Sequence, residues 1–189
     1  MKRALLIVLS VSALLSARAE VVTAPAYGLA ATFPTHSDWT PVEHKKGEPH
    51  SHVLTWSAKS QAKKQMIYLS IIDAPLPDRK PTFRENALEW ERGVRTSSKE
   101  ITQTEFTTLG GREAYKIVGK VLNFGSEFFF VRWMSLSGDV TYQVSIVSEK
   151  PVDLERGVFH DFIESLTLQK KETNQAAKIT TGTVPNLKH

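Results

Sequence analysis

The sequence predicts an α+β fold, an α-β-α sandwich whose mainly antiparallel sheet of about six to seven strands carries helices on both faces. Three observations lead there. Strand-like runs, a helix, four further strand-like runs and a second helix follow one another along the chain. The four later runs are separated by turns of two or three residues, which join antiparallel neighbours. Two of the runs are apolar on both sides, so layers must cover the sheet above and below.

Each element has its own signal. Residues 27–33 read as a strand closed by Pro34, with residues 20–26 a short leader before it. The polar stretch 35–51, rich in Pro, Gly and His, reads as a loop. Residues 52–57 and 65–73 form a hairpin across the lysine-bearing stretch 58–64. In the second of these strands Met66, Tyr68 and Ile72 face one side, and Ile67, Leu69 and Ile71 the other. Pro75 and Pro77 end the pattern, and a helix follows. Thr82 with Glu85 three positions on is a capping box, and Phe83, Ala87, Trp90 and Val94 make one apolar stripe. Glu91 and Arg95 are spaced to pair on its wet side.

The meander comes next, over residues 100–109, 112–122, 126–137 and 139–148, punctuated at Gly110-Gly111, 123–125 and Ser137-Gly138. In its third strand Phe129, Val131 and Trp133 alternate with Phe128, Phe130, Met134 and Leu136, so both faces are apolar. A second helix is expected over residues 151–166, with Phe159, Phe162, Ile163 and Leu166 on its buried side. Residues 27–169 then form one domain, a size that can bury enough surface to fold without disulfides. Residues 170–189 lack periodicity and are expected to be a disordered tail.

The first nineteen residues read as an address. Lys2 and Arg3 precede an apolar run over residues 4–15, and Ala17-Arg18-Ala19 offers a peptidase its small-x-small site. This is a secretory signal pattern with cleavage after Ala19, and its run is too short for a membrane-spanning helix. The expected location is periplasmic or extracellular, without a transmembrane anchor after cleavage. The chain holds 24 Lys and Arg against 20 Asp and Glu, and no cysteine. Lys2, Arg3 and Arg18 leave with the signal, and the tail keeps four lysines against Glu172. Residues 20–169 therefore carry 17 basic and 19 acidic groups. A domain with no basic surplus is not a nucleic-acid reader. The missing cysteines also exclude thiolate zinc sites.

The chain has none of the common catalytic signatures: no nucleophile elbow, phosphate-binding loop, dinucleotide fingerprint or H-E-x-x-H. Ser60 and Lys63 match S-x-x-K, but in a polar hairpin rather than at a helix start. His160, Asp161 and Glu164 share a helical turn and read as an exposed helix face. His44, His50 and His52 form the candidate metal cluster, with His36, Glu43 and Glu48 nearby, since imidazoles suit zinc, copper or nickel. Lys45 and Lys46 inside the cluster repel a cation, and a solvated loop accounts for the same residues. Of the tryptophans, Trp90 and Trp133 fall on buried faces, while Trp39 in its polar loop is the candidate for partner contact.

Phe33-Pro34 with Trp39, the turn Leu109-Gly110-Gly111-Arg112-Glu113-Ala114-Tyr115, and the ending Phe159-His160-Asp161-Phe162-Ile163-Glu164-Ser165-Leu166 resemble the PsbP/Mog-like superfamily. That superfamily includes secreted bacterial domains of the DcrB and LpqN type, and the resemblance covers about residues 27–169. It implies the sandwich fold and a non-catalytic role, as in photosystem accessory subunits, Ran-binding proteins and envelope proteins. It implies no cofactor and carries no functional residues onto this chain. The expected function is that of an exported non-catalytic domain, an envelope accessory or protein-binding module. The alternative is a small-ligand or transition-metal-binding periplasmic protein using the loop from His44 to His52.

Overall fold

The computed structural model of the protein describes residues 20–35, 38–40, 42–46, 53–73, 81–123 and 125–169. Ten strands and two α-helices fall within them. In chain order they are β1 (Glu20–Ala24), β2 (Leu29–Phe33), β3 (Glu43–Lys46), β4 (Val53–Ser60) and β5 (Gln65–Asp73), then α1 (Phe83–Ser97). The meander β6 (Glu100–Leu109), β7 (Arg112–Asn123), β8 (Ser126–Ser137) and β9 (Val140–Ser148) follows, and the chain ends on α2 (Val158–Ser165) and β10 (Thr167–Leu168).

Seven strands make one antiparallel sheet in the order β3-β4-β5-β9-β8-β7-β6. Two local units meet in it, the β3-β4-β5 meander and the β6-to-β9 meander, joined where β5 pairs β9 from Gln65↔Ser148 to Asp73↔Val140. The sandwich expected from the sequence is present, with a different layer on each face.

On one face α1 lies over β7 and β8. Ala87 and Val94 of the helix pack with Tyr115, Ile117, Phe130 and Met134. Thr82 accepts from the Glu85 backbone N–H while the Glu85 carboxylate accepts from Thr82 N at 2.7 Å, so the capping box forms as its spacing dictates.

The other face is covered by α2 and by a small sheet of order β1-β2-β10. Phe33 and Phe162 meet with ring centroids 5.0 Å apart, beside Ile67, Leu69, Ile71, Trp133 and Val144. Tyr142, fully buried, donates its hydroxyl hydrogen to the Tyr27 carbonyl at 2.5 Å and ties the two sheets together. Ser165 on α2 accepts from the Thr32 backbone N–H at 2.8 Å.

Four expectations are corrected. The leader 20–26 holds β1, which pairs β2 along its whole length, because Val22 and Ala24 have an apolar cluster to join. The loop 35–51 holds β3, which pairs β4 as an edge strand. The strand beginning near His52 runs on to Ser60, leaving residues 61–64 as the turn. The second helix begins at Val158 rather than at residue 151, because Gly157 adopts φ 76°, a left-handed value that no helix contains. Upstream, the Asp153 carboxylate accepts from the Glu155 N–H at 2.9 Å and from Arg156, which closes a turn instead. The tail 170–189 lies outside the described residues.

Gly119 on β7 marks the tightest backbone approach in the meander. A methyl group there would sit 2.3 Å from the Glu100 carbonyl oxygen and 2.9 Å from the Phe130 ring. Backbone cannot yield as a flexible side chain can. Gly119→Ala is therefore expected to lower stability by about 1–3 kcal/mol; a chemical-denaturation midpoint equal to wild type would show that β6 can shift to make room.

Candidate functional site

Of the three histidines singled out in the sequence, His50 and His52 lie outside the described residues. His44 sits on the edge strand β3 opposite Trp56 and stacks on it, with ring centroids 5.1 Å apart and planes 15° from parallel. It covers one face of the indole. Among the described residues no three His, Asp or Glu groups are gathered as metal ligands would be. Trp39 is buried, with 7% of its surface exposed, and meets Phe159 edge-on at 6.3 Å. It packs the core. Ser60 is buried at the end of β4 with its hydroxyl closing the hairpin toward the Lys63 N–H, so S-x-x-K is a turn. His160 is half-buried and its Nδ1 lies 3.1 Å from the Leu154 carbonyl, bracing the segment before α2.

A groove of about 410 Å³ instead opens beside α1, on the half of the sheet that the helix leaves uncovered. Strand register builds its floor. Arg132 of β8 stands directly opposite Ser145 of β9, which stands opposite Tyr68 of β5. These three side chains form one row across three strands, on the α1 side of the sheet. One step along, Gln143 and Ser70 pair in the next row, and Ser70 lies 3.3 Å from the Thr55 hydroxyl. One step the other way the row is Phe130, Val147 and Met66. Beyond it are Val121 and Leu122 at the groove's end, Leu122 with 57% of its surface exposed. Trp90 of α1 forms the wall. The groove therefore grades from polar to apolar along its length.

Arg132 is the unusual group. It is half-buried, with its guanidinium carbon 4.6 Å from the centre of the Phe130 ring. Among the described residues no carboxylate pairs with it, and burial pushes its pKa below the ordinary guanidinium value. The other meander lysines differ: Lys116 meets Glu105 at 2.7 Å, and Lys120 meets Glu127 at 3.2 Å. A desolvated cation without a counter-charge raises the energy of the folded state and attracts an anion strongly. The sequence held a signal for it. Arg132 is the one charged residue between Phe130 and Met134 on an apolar strand face, and its strand neighbours across β9 emerge only from the register.

The wall is held by a second polar contact. Glu91, next to Trp90 on α1, accepts from the Tyr115 hydroxyl and from Arg95 Nε at 2.7 Å. Its side chain is only 13% exposed while that of Arg95 is 53% exposed, so the expected pair forms and links the wet side of α1 to the sheet. The Tyr115 hydrogen bond, followed by Arg95, holds the Glu91 carboxyl below its ordinary value, against the opposing effect of burial. Burial, then Glu91, raises the Tyr115 phenol.

No family model matches the chain, and no curated protein matches it. Among solved structures, a crystal structure from Bacteroides thetaiotaomicron VPI-5482 superposes on 80% of this chain with a TM-score of 0.51 at 13% identity. The likeness shows the fold. The match takes in 48% of that structure, so the chain spans about half its length. LpqN of Mycobacterium tuberculosis, a protein involved in cell envelope biogenesis, aligns with 80% of this chain and 90% of its own at 13% identity, with a TM-score of 0.43. No described helix is long and apolar enough to cross a membrane.

A depressed folded-state carboxyl contributes stability that is present above its unfolded value and lost as pH falls through the folded one. Glu91→Gln is thus expected to be less stable than wild type at pH 7, with the gap closing as pH falls below 4.5. Thermal scans of both proteins from pH 7 to pH 3 measure this, and a gap that stays constant with pH would remove the carboxylate from the latch.

Proposed function

We propose that the protein is an exported, non-catalytic binding domain of the cell envelope, and that the groove beside α1 is where it takes an anionic ligand. The observation that carries this reading is Arg132, a half-buried cation without a described counter-charge on the floor of a groove of about 410 Å³. A volume of that size is within the range of small-ligand sites, as is an apolar lining with a few converging polar groups. Ser145, Tyr68 and Gln143 stand around the guanidinium and supply hydrogen-bond donors to the same anion.

Export is supported by the basic start at Lys2-Arg3, the short apolar run and the Ala17-Arg18-Ala19 site. The resemblance to the PsbP/Mog-like superfamily points the same way, toward a binding or accessory role rather than catalysis.

Anilinonaphthalene sulfonate, a fluorescent probe with one anionic group and an aromatic body, suits the groove. Its fluorescence is expected to rise on the native protein and to fall at least about tenfold in affinity with Arg132→Met, the loss of one charge-assisted contact. Because the unpaired charge strains the fold, the same variant is expected to keep its stability or gain up to about 1 kcal/mol, roughly 2–4 °C in Tm. Equal probe binding by both proteins, with unchanged near-ultraviolet circular dichroism, would show that the groove is not an anion site. A stability loss above about 1 kcal/mol would make Arg132 a structural residue.

A further inference from the structure

Resting on the groove as the binding site, we infer that its ligand is a single small amphiphile, with one carboxylate over Arg132 and an unbranched apolar tail running toward Val121. The gradient along the floor sets the orientation. At the head end, Arg132 is flanked in its own row by Ser145 and Tyr68, and in the next row by Gln143 and Ser70. At the tail end stand Met66, Val147 and Val121. Successive rows on one face of a sheet lie about 6.6–6.8 Å apart, twice the rise per residue. The head and the first apolar row are thus separated by the length of a short alkyl segment, and the tail continues past it to Val121.

The charge count selects a monoanion. Among the described residues Arg132 is the one cation lining the groove, and a phosphate dianion or a polyanion would leave charge unmatched in a partly dry site. A guanidinium presents a planar fork that fits the two oxygens of a carboxylate. Trp90 adds a flat apolar wall for the tail. A free inorganic anion would use the head end alone and leave the apolar half of the groove without a role, while a purely apolar ligand would bury against an unpaired cation. The floor lies beside α1 and is walled on one side by Trp90, which suits one extracted molecule rather than a bilayer surface.

Calorimetric titration of the purified protein with decanoate tests this against four controls: decanol, acetate, inorganic phosphate and phosphatidylglycerol vesicles. Decanoate is expected to bind one to one, with decanol and acetate each at least about tenfold weaker, phosphate without measurable heat and vesicles not co-sedimenting. Arg132→Gln is expected to abolish the preference for decanoate over decanol, and Val121→Ser to weaken decanoate several-fold. Where Arg132→Gln does not fold, Gln143→Leu provides the same comparison at a half-buried position. Equal binding of decanol and decanoate, phosphate binding as tight as decanoate, or Arg132-dependent vesicle binding would each overturn the carboxylate amphiphile. If Arg132-dependent binding of the sulfonate probe persists in that event, the groove remains an anion site and only its ligand class falls. If neither probe nor decanoate binds, both readings fall together.

Discussion

The pairing of β5 with β9 is the contact on which the rest of the structure depends. It joins two locally folded meanders into one sheet, and it brings together side chains far apart in sequence, Gln65 opposite Ser148 and Tyr68 opposite Ser145. Both strands are apolar on the inner face, where Ile67, Leu69 and Ile71 meet Tyr142, Val144 and Ile146 with almost no exposure. A one-residue slip would turn that entire set to the other side of the sheet. The inner face therefore fixes the register, and the register in turn fixes which polar side chains line up on the outer face. Arg132, Ser145 and Tyr68 share a row because the opposite side of the same strands had to be buried.

The two faces divide their work accordingly. The inner one is closed by α2 and the small sheet, locked by Tyr142 to the Tyr27 carbonyl and by aromatic contacts such as Phe33 with Phe162. The outer one is closed over β7 and β8 by α1, which returns the chain from β5 at the middle of the sheet to β6 at its edge. A single helix of fifteen residues cannot span seven strands. The groove is the consequence of that shortfall in cover, and its wall stays in place through Glu91 and Tyr115. A binding site made this way uses rigid strands for its floor, which keeps its polar groups in fixed geometry.

Fold and function part company at this point. A sandwich of this kind is a scaffold, and a likeness at 13% identity conveys its shape alone. What distinguishes this chain is local: a charge placed in an otherwise apolar strand face, and polar partners set beside it by pairing. Trp39 fills the inner core against Phe159, and His44 stacks on the face of Trp56.

The sequence by itself determined the elements whose signals are local. The Thr82–Glu85 capping box and the stripe through Val94 placed α1; the glycine-bearing turns placed the four-stranded meander; the two-sided apolar pattern of β8 demanded layers above and below. Those signals act between residues a few positions apart, where backbone geometry leaves few choices. Only the tertiary structure decided the rest. β1 and β3 are short strands that exist because a partner strand lies alongside, and the start of α2 is set by the backbone at Gly157. The juxtaposition of β5 with β9, and with it the row that holds Arg132, depends on burial shared between distant segments. A periodicity within one segment reports which face is apolar, but not which other segment that face will meet.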